Sequence, residues 1–136
     1  MATNIFINLP VADLPASKAF FETLGFAFNP QFTDETAAAM VIDENIFSML
    51  LTHEKFRQFT PKPIADANAV SEVLIAISRD SREAVTELFD KAIAAGGKQV
   101  RPGDDYGFMM SQAFSDLDGH IWEVMWMDPN YVQPTT

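Results

Sequence analysis

No cysteine occurs in the 136 residues, so disulfides, thiolate nucleophiles and cysteine-held metals are all excluded. Histidine is nearly as scarce, with two copies, which leaves little imidazole for a metal cage or a proton relay. Basic residues are few: nine Lys and Arg stand against 19 Asp and Glu, a formal net charge of −10. Nucleic acid and anionic membrane surfaces both need a basic footprint, so neither is an expected partner. A cationic small molecule is the better electrostatic match. No apolar run approaches membrane-spanning length, and the opening MATNIFINLPVADLP lacks a basic segment ahead of a long apolar one, so the expected location is cytoplasmic.

Apolar residues are plentiful. Hydrophobic types make up 48% and charged types 21%, enough apolar surface to offset the entropy of ordering the chain. The length suits a single domain over residues 1–136.

The chain repeats itself at about half its length. The stretch Asn4 to Leu9 (NIFINL) reads as a strand, and Asp13 and Pro15 lead into a helical pattern of Ala16, Ala19, Phe20, Thr23 and Leu24, all on one helix face. Gly25 offers the left-handed stop. In the second half, Val73 to Ile77 (VLIAI) precedes the cap candidates Asp80 and Ser81, with Glu83 spaced for a capping box with Asp80. Val85, Leu88, Phe89, Ala92 and Ile93 repeat the apolar offsets, and Gly96 and Gly97 close the helix.

Three strands are predicted behind each helix: Phe26 to Phe32, Ala37 to Ile42 and Asn45 to Leu51, then Lys98 to Arg101, Phe108 to Ser115 and His120 to Met127. Laying DENIFSMLL (Asp43 to Leu51) over DGHIWEVMW (Asp118 to Trp126) sets Ile46 opposite Ile121, Phe47 opposite Trp122 and Ser48 opposite Glu123. The pattern predicts an α+β domain of two βαβββ half-modules, residues 1–52 and 70–128, whose curled, mainly antiparallel sheets enclose a cleft. Residues 53–69, with Pro61 and Pro63 and no sustained periodicity, read as a linker, and 129–136 as a loose tail. A ferredoxin-like sandwich fits less well, because it does not account for the matched nine-residue segments.

Two segments carry a family resemblance. FINLPVADLPASKAFFETLGF (Phe6 to Phe26) and FSDLDGHIWEV (Phe114 to Val124) resemble the opening and closing motifs of the vicinal oxygen chelate superfamily, which includes glyoxalase I, extradiol dioxygenases, and the fosfomycin and bleomycin resistance proteins. The resemblance spans nearly the whole chain. It implies a cleft between the half sheets in which four side chains, His, Glu or Gln, hold a divalent metal, one from the first and last strand of each half. Carried over by position, the last ligand falls on Glu123. The other places fall on Ser48, on Phe6, and on Val73 or Leu74 depending on register. None of those side chains suits zinc, nickel, iron or manganese, so no metal is expected and Glu123 is the only retained ligand position. A divalent metal would need His53, His120 or Glu72 as replacements. His120, three residues from Glu123 on one strand, points to the opposite face, and His53 and Glu72 sit at strand ends where solvated side chains are usual.

Glu123 has two readings. Its neighbours at period two are Ile121, Met125 and Met127, so the carboxylate would face the cleft with little water and serve proton transfer as a catalytic group. Alternatively it is a structural anchor, bonded to backbone or to a nearby arginine. Strand alternation adds Phe6, Asn8, Ser48 and Leu50 as ligand-binding candidates. The segment Asp105 to Met110, where the family covers its ligand, adds Tyr106, Phe108 and Met110. Most of the twelve Phe and seven Met are expected in the core, which makes Tyr106 the strongest of these. The expected function is metal-independent binding of a small, cationic molecule by a homodimer in the manner of the bleomycin resistance proteins. The alternatives are a metal-dependent lyase, isomerase or dioxygenase with non-standard ligands, and a metal-free enzyme with Glu123 as general base.

Overall fold

A strand that a polar cap turns straight into a helix opens each half. In the computed structural model, which describes residues 2–132, strand β1 (Ile5–Val11) ends at Asp13, whose carboxylate accepts from the Ala16 N–H at 3.0 Å. Pro15 fits the first turn, where its missing N–H costs nothing, and α1 runs over Leu14–Thr23. Gly25 then takes φ +104°, a left-handed conformation that strains any residue with a Cβ. After it come β2 (Ala27–Asn29), β3 (Ala37–Asp43), β4 (Ile46–Thr52) and a short α2 (His53–Arg57). The second half repeats the plan with β5 (Leu74–Ser78), α3 (Arg82–Ala94), β6 (Lys98–Asp105), β7 (Met109–Ser115) and β8 (Ile121–Met127).

Two four-stranded sheets result, ordered β1-β4-β3-β2 and β5-β8-β7-β6. In each, the first and last strands of the half pair in parallel and the other two pairings are antiparallel. The chain is thus α+β with two mixed, mainly antiparallel half-modules. By their contacts the described residues gather into two compact units: the chain up to Val70 together with Leu117–Gly119, and Ser71–Asp116 with the chain from His120 onward.

Each unit has its own core. In the first, Phe20, Phe21 and Leu24 are buried together with Leu9, Val11, Met40 and Leu50, and α1 contacts β2, β3 and β4. In the second, Val85, Leu88 and Ala92 of α3 are buried with Phe114, Trp122 and Val124, each large side chain contributing about 1.5–3 kcal/mol. The Trp122 indole donates to Asp116 Oδ2 at 3.0 Å, so its one polar atom is satisfied inside the core.

Several local expectations change. The strand predicted over Phe26 to Phe32 stops at Asn29, because Pro30 has no N–H for the ladder and Pro30–Phe32 forms a 3-10 turn capped by the Asn29 side chain. The predicted linker begins with α2, capped by Thr52. Ser81, not Asp80, caps α3 by accepting from the Ala84 N–H at 3.1 Å, so no capping box with Asp80 forms. The buried face of α1 is Leu14, Ser17, Phe20 and Phe21, with Leu24 buried at its C-cap, so Phe20 and Leu24 of the predicted row are in the core while Ala16, Ala19 and Thr23 are not. Strand β6 runs on to Asp105, beyond its predicted end at Arg101. Of the expected loose tail, residues 133–136 lie outside the described residues, while the Tyr131 ring stacks on Phe108 at 3.9 Å between centroids.

Candidate functional site

Strand β8 alternates as its sequence suggests. Trp122 and Val124 are fully buried, while Ile121, Glu123 and Met125 are half-buried on the other face. Across the sheet Glu123 lies between Ala76 on β5 and Ala113 on β7. Alanine on both sides leaves room above the sheet, and over Ala113 the Glu123 carboxylate pairs with Arg101 of β6, Oε2 to Nη2. The two side chains remain 22% and 40% exposed, so the pair is reachable from solvent. Of the two readings of Glu123, the geometry shows the arginine partner.

A break in β6 brings Arg101 there. Gln99 pairs with Phe114 and Arg101 with Ala113, so β6 holds one residue more than β7 over this step. Regular pairing would put Val100 opposite Ala113 and turn Arg101 to the opposite, helix-covered side. The β-bulge re-aims the side chain, as bulges near binding sites commonly do. Sequence reasoning did not single out Arg101, because a bulge leaves no residue-type signature beyond the Pro102-Gly103 that follows.

In the first unit the same logic corrects the match between halves. Phe6 stands seven residues before the helix cap Asp13, and Leu74 seven before Ser81, which makes Phe6 and Leu74 equivalent and settles the choice against Val73. Phe6 pairs with Phe47 and Leu74 with Ile121, so two residues further on Met49, not Ser48, occupies the place of Glu123. Burial agrees. Ser48 is fully buried and gives its hydroxyl to the Ile7 carbonyl at 3.0 Å, and Leu50 is equally buried, so both lie on the core side like Trp122. Phe6, 54% exposed, and Asn8 lie on the outer face, with the Phe6 ring stacked on Phe47 at 5.0 Å. The Asp43 and Asp118 turns had suggested a different register, because a bulge between Val41 and Asp43 shifts the turn by one residue.

The segment 105–110 is built differently from its neighbours. Asp105 pairs with Arg82 of α3, whose guanidinium lies 5.6 Å from the centre of the Trp126 ring. That hydrogen bond to Arg82 is the main reason the Asp105 carboxyl is held below the usual carboxylate range, with the Gly107 N–H, 3.0 Å from Oδ1, adding to it. Gly107 takes φ +83°. Tyr106 projects 61% exposed, and the Phe108 ring stacks with those of Tyr106 and Tyr131, at 6.3 and 3.9 Å between centroids. Met110 pairs with Trp126 and therefore lies on the side opposite Glu123, where it lines a groove of about 440 Å³ against Arg82, Glu83, Thr86, Glu87 and Asp90 of α3. The structure thus does not bring Met110, Ser48 and Leu50 onto the outward faces that carry Glu123, Phe6 and Asn8.

The donor set does not fit the metal that the fold implies. The four family positions hold Phe6, Met49, Leu74 and Glu123, and the one carboxylate is committed to Arg101. Among the described residues no three His, Asp or Glu side chains converge. His53 starts α2, Glu72 is exposed ahead of β5, and the His120 backbone closes a turn with Asp116.

Comparison with known proteins places this geometry. A family model described as bleomycin resistance protein-like N-terminal matches residues 3–43. No curated protein matches the chain. Among solved structures, a hypothetical protein from S. aureus is similar at 27% identity and TM-score 0.77, over 93% of this chain and 95% of that one. A glyoxalase/bleomycin resistance protein/dioxygenase family enzyme from Burkholderia phytofirmans matches at 18% identity and TM-score 0.75, over 93% and 99%. A genomically encoded fosfomycin resistance protein from Listeria monocytogenes matches at 19% identity and TM-score 0.67, over 93% of each. The chain thus has the fold of the glyoxalase/bleomycin resistance/dioxygenase structures, and its opening segment is similar to the bleomycin resistance protein-like N-terminal model.

Proposed function

We propose that this protein is a metal-independent small-molecule binder of the superfamily. The observation that carries the reading is the donor set: three of the four ligand positions hold Phe6, Met49 and Leu74, and Glu123 is paired with Arg101. A catalytic zinc needs about three protein ligands and an open position, which this set does not supply. In the second unit the outward face offers Glu123 of β8, with the exposed Tyr106 at the rim of its sheet, and in the first unit the outward face of β1 offers Phe6 and Asn8. Purified protein is expected to carry well under one equivalent of Zn, Ni, Fe or Mn by elemental analysis, and excess EDTA to leave its melting temperature unchanged. A stoichiometric metal would falsify the reading.

The active form is proposed to be a homodimer. The edge strands β1 and β5 begin with exposed apolar residues, Ile5 and Phe6 on β1 and, around β5, Val73 and Leu74, each more than half exposed. Exposed apolar edges are usually covered by another chain or guarded by charge, and β1 holds no charged residue.

A further inference from the structure

The fold diverts a strand to deliver Arg101 to Glu123, and stability does not account for the diversion. A half-exposed ion pair is worth about 0–1 kcal/mol, while the bulge gives up regular ladder pairing and leaves Val100 39% exposed. We infer that Arg101 is the ligand-recognising cation of this site, standing where the superfamily would hold a metal on this carboxylate, and that it takes a small monocarboxylate with an apolar tail. This inference rests on the metal-independent reading proposed above.

The chemistry follows from the residues around the pair. Arginine carries five N–H donors in a planar fork that matches a carboxylate with two parallel bonds, and the Glu123 pairing occupies Nη2. Ala113 beneath the pair and Ala76 beyond Glu123 are too small to cover it. Ile121 and Met125 flank Glu123 along β8, and Leu74 is exposed on the same face, an apolar and adaptable bed for the tail of a ligand. Charge sets the limit on ligand size and valence. Asp104, past a second break in β6, pairs with Ser111 and so shares this face. Glu123 and Asp104 share this face with the one guanidinium, so a single carboxylate can take the free edge of the fork while a second negative charge is opposed, and dianions are disfavoured.

The test uses the whole chain and three probes at low ionic strength: phenylacetate, its neutral amide phenylacetamide, and the dianion phenylmalonate, each titrated by calorimetry or ligand-observed NMR. Phenylacetate is expected to bind about tenfold or more tightly than either of the others, with the preference fading as salt rises. Arg101→Met is expected to abolish that preference, Arg101→Lys to keep part of it because the charge survives without the fork, and Glu123→Gln to strengthen phenylacetate binding, because it frees the fork of a competing carboxylate. Circular dichroism and melting temperature of the lysine variant separate loss of binding from loss of fold. Failure of wild-type protein to bind phenylacetate overturns the inference, as does equal binding by Arg101→Met or loss of binding in Glu123→Gln. Metal analysis of the same samples separates the two claims: a stoichiometric metal removes the metal-independent reading, whereas metal-free protein without carboxylate preference removes only the role of Arg101.

Discussion

Asp118 shows how much a single side chain in a turn can do. It lies between β7 and β8, yet its contacts belong to the first unit: Oδ1 accepts from the Ala12 N–H at 2.8 Å and Oδ2 from the Ser17 hydroxyl at 3.2 Å. It therefore supports the start of α1 beside the Asp13 cap, at a helix end where negative charge is favourable. Asp118→Ala is expected to cost about 1 kcal/mol and to lower the melting temperature by roughly 2–6 °C, read by calorimetry. Trp122→Phe is expected to cost more, about 1–3 kcal/mol in a denaturant titration. It leaves Asp116 Oδ2 without the indole donor and opens a void beside Phe114. An unchanged denaturation midpoint would contradict the role assigned to that hydrogen bond.

At the scale of elements, the clamp from α3 to the end of β6 makes a prediction with a sign. Arg82 binds Asp105 and also reaches the Gly107 carbonyl at 3.5 Å. Because the Asp105 carboxyl is held below the usual aspartate range, chiefly by this hydrogen bond, the clamp is fully present above that range and is lost as pH falls through the lowered value. The Gly107 amide resonance and Trp126 emission should therefore stay constant through ordinary aspartate titration and change only at more acid pH. Asp105→Asn should remove that late transition and speed Gly107 amide exchange at neutral pH. A Trp126 signal that titrates in the ordinary aspartate range would show that Arg82 does not hold the loop. Strand β6 is the second instructive element. Its length and its two register breaks were not legible in the sequence, because a bulge is set by how a neighbouring strand pairs and not by the residues inserted.

For the molecule as a whole, the proposed assembly predicts a light-scattering mass near twice the 15.1 kDa of one chain. A Phe6→Asp variant, which puts charge on an exposed apolar edge, is expected to move that mass toward the monomer. Among the described residues no helix is long and apolar enough to cross a membrane. Much of the fold could be read directly from the chain. Helical spacing, the Asp13 cap and the Gly25 and Gly96 stops depend on local sterics and hydrogen bonds, so the residues alone specify them, and alternation in β8 set Glu123 on one face with Ile121 and Met125. What the tertiary structure decided was register. Because side chains alternate with a period of two, a one-residue offset sends every side chain to the other face, and that offset turned Ser48 and Leu50 inward and set Met49 opposite Glu123. A bulge of one residue likewise brought Arg101 to Glu123, a meeting between strands that the local sequence of neither one encodes.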